Sequence, residues 1–169
     1  TDLANDLGNL VSRTTAMAGK YFGEHLPEGS GATEDERELA AMIAQAKGMD
    51  VGLSMSFPED DPRKFDAELV IQAARLRDAY EDAMEQYAFQ NALAEGFKVS
   101  GRANKYSDEN APWVLAKDME ANGTRLATVM YNLLEVLRIS AILLTPFMPD
   151  SAAEILRQIG ACEACSTWE

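Results

Sequence analysis

The chain is poor in the residues on which most metal and redox chemistry depends. Its 169 residues include one histidine and two cysteines. His25 has no cysteine or carboxylate cluster at ligand spacing, so it marks no metal site. Without a nucleophile beside it, it is also a weak general base. Cys162 and Cys165 make a single Cys-x-x-Cys. A structural zinc site needs four ligands and there is no second pair, so the two read as incidental thiols. No Gly-rich phosphate loop is present. The longest apolar run, Ile139–Met148, is interrupted by Ser140, Thr145 and Pro146. It falls short of the roughly 20 residues that span a bilayer. No signal peptide is visible. The first residue is Thr, and the natural N-terminus is expected to be missing.

Proline and glycine are also few, and they gather near 23–31 and 48–62. The stretches between are rich in Ala, Leu, Glu and Met, good helix formers. With 47% hydrophobic residues the chain can build a core, and its length suits one domain.

Positive charge is in short supply. The net charge is −13, the wrong sign for a nucleic-acid binder, whose affinity rests largely on Lys and Arg. The deficit is uneven, however. Residues 28–68 hold eleven acids and four bases, a balance of −7, while residues 98–117 hold four bases and two acids, a balance of +2. An acidic surface also keeps a domain soluble, and the two roles can occupy different faces.

Helical spacing accounts for most of the chain. Leu3, Leu7, Leu10, Val11, Thr14, Met17, Ala18 and Tyr21 form one stripe of a helix over 2–22. Asn9 and Arg13, four apart, are neighbours on the opposite side. They are either a solvated face or a pair able to meet a base edge, since an amide both donates and accepts and a guanidinium can stack. Thr33 and Glu36 form a capping box for a helix to about Lys47. Residues 49–62 read as loop. Residues 64–107 read as helix with a break near Tyr87–Gln90, and Tyr106 as core. Asn122-Gly123 reads as a turn. A central, nearly all-apolar helix follows over 124–146, and Ser151–Glu154 caps a last helix to Ile159.

One stretch stands out, Asp108–Lys117, which follows Asn104-Lys105-Tyr106. Pro112 is suited to a first helical position and predicts a short helix to about Met119. Trp113 in its first turn is either core or a flat stacking platform at the rim.

Three segments together resemble the methionyl-tRNA synthetases: residues 2–14 with Asn9-Leu-x-x-Arg13, residues 104–113 with Asn-Lys-Tyr and Ala-Pro-Trp, and Leu-Leu-Thr-Pro-Phe-Met-Pro at 143–149. The last is shared with the class I synthetases for valine, isoleucine and leucine. The resemblance implies an all-α helical bundle of the class I synthetase anticodon-binding type. Residues 1–160 would form the bundle, about 45–65 an insertion or loop, and 161–169 a truncated C-terminal segment. It implies that Asn9, Arg13, Pro112 and Trp113 read the CAU anticodon of methionine tRNAs, with Lys20, Lys105 and Lys117 near phosphates. The partners it implies are the tRNA anticodon loop and a catalytic domain in cis, with no membrane and no DNA. ATP and Mg²⁺ would serve the cytoplasmic parent ligase, and these residues alone would be catalytically inert, without metal or cofactor. The rivals are a sister synthetase's anticodon domain and an acidic helical interaction module that never touches RNA.

Overall fold

A computed structural model describes residues 3–23, 25–27, 30, 58, 60–162 and 166–167, with backbone only for 3–5. The helix expected over 33–47 and most of the loop at 45–65 lie outside these residues. Six α-helices are described: α1 Asn9–Phe22, α2 Arg63–Glu85, α3 Phe89–Asn110, α4 Pro112–Leu115, α5 Met119–Leu144 and α6 Pro149–Gln158. No strand occurs among the described residues.

The expected first helix is two pieces. Leu3–Gly8 is a wider π-helical segment that runs directly into α1. The Asn104 side chain of α3 donates to the Asp6 carbonyl at 3.0 Å, tying this segment to the bundle. Leu7, Leu10, Val11 and Thr14 are buried, as their spacing predicts, while Asn9 and Arg13 are exposed. Gly23, at φ 69°, ends α1 and returns its N–H to the Gly19 carbonyl. That left-handed conformation suits glycine best.

α2 and α3 pack as a helical hairpin, α3 packs on α5, and α5 also contacts α1, α4 and α6. α5 is the centre: Leu126, Met130, Leu133 and Leu137 have no exposed surface. Each such side chain contributes about 1.5–3 kcal/mol on burial. The helix is long and apolar enough to cross a membrane by length and composition. Here its apolar faces are covered by the other helices.

Several boundaries differ from the spacing-based expectation. α3 runs on through Asp108 and Glu109 to Asn110, past the expected helix end at 107. The short helix stops at Leu115 rather than near Met119. Asn122-Gly123 is no turn. The Asp118 carboxylate accepts the Ala121 N–H at 3.1 Å and caps α5 ahead of that pair. The box at Ser151–Glu154 also fails, because Pro149 opens α6 two residues earlier. Glu154 instead accepts from Arg157 and Gln158, which lower its pKa to about 2. Cys162 is disulfide-bonded, not the incidental thiol the composition suggested. The chain's other cysteine, Cys165, lies outside the described residues.

The break at Tyr87 occurs as expected, with that residue left-handed at φ 57°. Tyr87, Phe89 and Phe147 form an edge-to-face ladder there, with successive ring centres 6.3 Å apart. It sits where α3 starts, about 30 Å along that helix from its far end.

A buried polar cluster holds that far end. Asp66 of α2 is 2% exposed. It accepts from both terminal nitrogens of Arg125 on α5 and from the Tyr106 hydroxyl of α3 at 2.5 Å. Asn132 donates to the same hydroxyl at 3.1 Å. Tyr106 is core, as expected, and has no exposed surface. Burial, then the charge of Asp66 and the hydrogen bond to it, push the Tyr106 pKa up. An unfolded tyrosine ionises near pH 10. The stability contributed by keeping Tyr106 neutral is thus complete below about pH 10 and falls as pH rises beyond it. In an alkaline titration, the phenolate absorbance assigned to Tyr106 (the difference from Tyr106→Phe) should grow only together with loss of helical circular dichroism. A Tyr106 phenolate forming near pH 10 in a still-helical chain would contradict the buried pairing.

Candidate nucleic-acid interface

The Pro-Trp pair sits on an elbow between α3 and α5. Ala111 takes the left-handed conformation (φ 42°, ψ 62°) and closes α3 by returning its N–H to Ser107. The following proline disfavours right-handed α geometry at Ala111, which forces the break. Pro112 is buried and occupies the first position of α4, where its missing N–H costs nothing. The Val114 N–H reaches back to the Ala111 carbonyl at 2.7 Å and tightens the turn. Leu115 packs on the core, while Trp113 is 42% exposed and Val114 is 51% exposed. The indole is therefore at the rim and not sealed in the bundle.

α1 delivers the second half of the site. The Arg13 guanidinium lies over the Trp113 ring, 5.7 Å from its centre. It also donates to Asp108 of α3 at 3.3 Å, a contact that bridges 95 positions of sequence. Asn9 is exposed one turn before Arg13 on the same face of α1. Among the described residues its amide has no hydrogen-bond partner. The structure thus brings Arg13 and Trp113 into contact and sets Asn9 beside them on one helix face.

These contacts are weak enough to yield. An exposed cation–π contact contributes about 0.5–1 kcal/mol, and an exposed ion pair about 0–1 kcal/mol. Stacking of one base on an aromatic ring contributes about 1–3 kcal/mol, so an unstacked base can displace or share the guanidinium.

The lysines are dispersed. Lys20 is exposed on the same side of α1, with its ammonium 5.6 Å from the centre of the Tyr21 ring. Lys105 is exposed and lies 3.5 Å from Glu109. Lys117 is exposed just after α4. The +2 balance of residues 98–117 is less free than the count suggests, because Arg102 bonds Glu68 and Glu109, and Lys98 bonds Glu95.

Sequence reasoning missed the partners that shape the site. Asp108 was in the singled-out stretch, but nothing in its local pattern shows that it faces α1. Asp66 and Arg125 carried no signal beyond a charge inside an expected helix, and Asn110 lay past that helix's expected end at 107. A buried charge pair at 66 and 125 has no periodic signature.

The all-α bundle has the fold of a class I synthetase anticodon-binding domain. The family model described as the anticodon binding domain of methionyl tRNA ligase matches residues 58–169. The chain belongs to that family. It is 41% identical to the methionine–tRNA ligase of Caldanaerobacter subterraneus over all of this chain and 22% of that protein. The Bacillus subtilis methionine–tRNA ligase is 38% identical over 99% of this chain and 21% of its own length. Among solved structures, apo methionyl-tRNA synthetase of Mycobacterium tuberculosis matches with a TM-score of 0.73 and 32% identity, covering 97% of this chain and 27% of that one. The same enzyme bound by methionyl-adenylate matches at 0.70 and 28%, covering 99% and 28%. The chain spans about a fifth of the length of the curated relatives it matches.

Proposed function

We propose that the chain reads the CAU anticodon of methionine tRNAs for a cytoplasmic methionine–tRNA ligase, whose catalytic part lies elsewhere in a longer protein. The observation that carries this reading is the exposed indole of Trp113 with the Arg13 guanidinium 5.7 Å from its ring centre. Loop bases can be splayed out, stacked on aromatic rings and read at their Watson–Crick edges. Trp113 takes the stack, and Pro112 fixes the turn that presents it. Asn9 and Arg13 hydrogen-bond base edges or the adjacent backbone. Lys20, Lys105 and Lys117 stand near the phosphates. ATP and Mg²⁺ act in the catalytic part, which activates methionine and esterifies it to the tRNA.

The test is binding of the chain to stem-loop RNAs with CAU and with the valine, isoleucine and leucine anticodons, across a salt series. The CAU stem-loop should bind tightest. Its affinity should fall with a log–log slope of about −0.7 per phosphate contacted, hence a slope of about −1.4 to −2.1 for two or three lysine contacts. Equal affinity for all the loops would defeat the anticodon assignment. Binding that ignores salt would instead remove the phosphate contacts.

A further inference from the structure

The elbow under Trp113 is held from inside the bundle by a buried residue whose hydrogen bonds go to Tyr106 and Arg125. Asn110 is the last residue of α3 and is 9% exposed. Its amide nitrogen donates to the Tyr106 carbonyl one turn back at 2.9 Å. Its amide oxygen accepts from Arg125 Nη2 at 2.5 Å. That same nitrogen also reaches Asp66 Oδ1 at 3.0 Å and the Pro62 carbonyl at 3.3 Å. One asparagine therefore joins the end of α3 to a charge pair anchored on α2 and α5. The next residue is Ala111, in a left-handed conformation that an L-residue adopts only at a cost in energy. Such a conformation persists only where its surroundings over-determine it. After it come Pro112 and Trp113.

We propose that Asn110, clamped by Arg125 and Asp66, is a positioning residue for anticodon recognition: it sets the direction in which the elbow presents the Trp113 ring. This rests on the reading that Trp113 stacks on an anticodon base. Asn110 acts on RNA affinity only through the indole, so its effect disappears when the indole is removed. Apolar packing alone would hold α3 against α5 without specifying the last turn, because hydrophobic contact is non-directional. Two hydrogen bonds from opposite ends of one amide do specify it.

The experiment uses the chain with Trp168→Phe, which leaves Trp113 as the sole indole. In the free chain, Asn110→Ala should raise the acrylamide quenching rate of Trp113 and lower its fluorescence anisotropy, at a temperature where circular dichroism shows both chains fully folded. Against a CAU stem-loop RNA, Asn110→Ala should weaken binding about tenfold in the presence of Trp113 and less than twofold in a Trp113→Ala background, the non-additivity expected of residues acting as one unit. Unchanged quenching and anisotropy, or an equal loss in both backgrounds, overturns the proposal. If Trp113→Ala alone leaves stem-loop affinity intact, the anticodon reading itself fails, and the RNA-free fluorescence arm still decides whether Asn110 positions the ring. Should Asn110→Ala not fold, Arg125→Lys keeps a cation beside Asp66 but loses the fork that reaches Asn110. The same two readouts on that variant then decide, with the same overturning results.

Discussion

Replacing Asp66 by alanine is expected to cost about 3–5 kcal/mol of folding stability, the range for breaking a buried ion pair by removing one partner. The carboxylate is 2% exposed and receives three donors: two nitrogens of Arg125 and the Tyr106 hydroxyl. Without it, the guanidinium, whose side chain is only 21% exposed, keeps its charge in a site that water barely reaches. The Tyr106 hydroxyl loses its acceptor in the middle of the bundle. The loss should be read from urea unfolding followed by helical circular dichroism. A companion double replacement, Asp66→Leu with Arg125→Met, should recover much of the stability, since buried ion pairs often exchange for apolar side chains without net cost. A loss below about 1 kcal/mol for Asp66→Ala would show that the site is wetter than its geometry implies.

Removing the indole has the opposite profile. Trp113→Ala should weaken binding to a CAU stem-loop by about 1–3 kcal/mol, roughly five- to 150-fold, the size of one base–aromatic stack. It should hardly move the thermal melt. The ring is 42% exposed and its described partner is an exposed arginine, so truncation opens no cavity in the core. Core truncation of a large aromatic typically costs 3–5 kcal/mol, and that contrast makes the pair of measurements decisive. A collapse of the melt would show that the ring acts as core. An intact melt with unaltered affinity would remove Trp113 from recognition.

Together the two substitutions separate the layers of this molecule. Asp66 is buried in the frame, whereas Trp113 stands at the surface. Asn110 lies between them, tied to one and adjacent in chain to the other.

Much of this was legible in the residue pattern. The apolar stripe of α1 faces the core, α5 is central, the break at Tyr87 occurs and Tyr106 is interior. Helical periodicity encodes burial directly, because one face of a helix must meet the core. Helix ends were less legible. At Asn122-Gly123 a turn signal lost to the upstream cap of Asp118, and at Ser151–Glu154 a capping signal lost to Pro149. End signals are worth about 1 kcal/mol each, which neighbouring signals and packing can override. The two fates open to Trp113 were not separable by pattern, since a tryptophan after a proline carries no period.

By itself, then, the order of residues determined an all-helical chain, the faces of its helices that turn inward, and its membership of a tRNA-reading family through Asn9-Leu-x-x-Arg13 and Pro112-Trp113. Tertiary structure alone decided that the indole stands at the rim, that Arg13 lies over it while pairing with Asp108, and that Asp66, Arg125 and Asn110 lock the elbow beneath. The reason is physical. Burial periodicity is a local property written along one helix, whereas an ion pair or a stacked ring depends on side chains from separate helices arriving at the same few ångströms, and only packing brings them there.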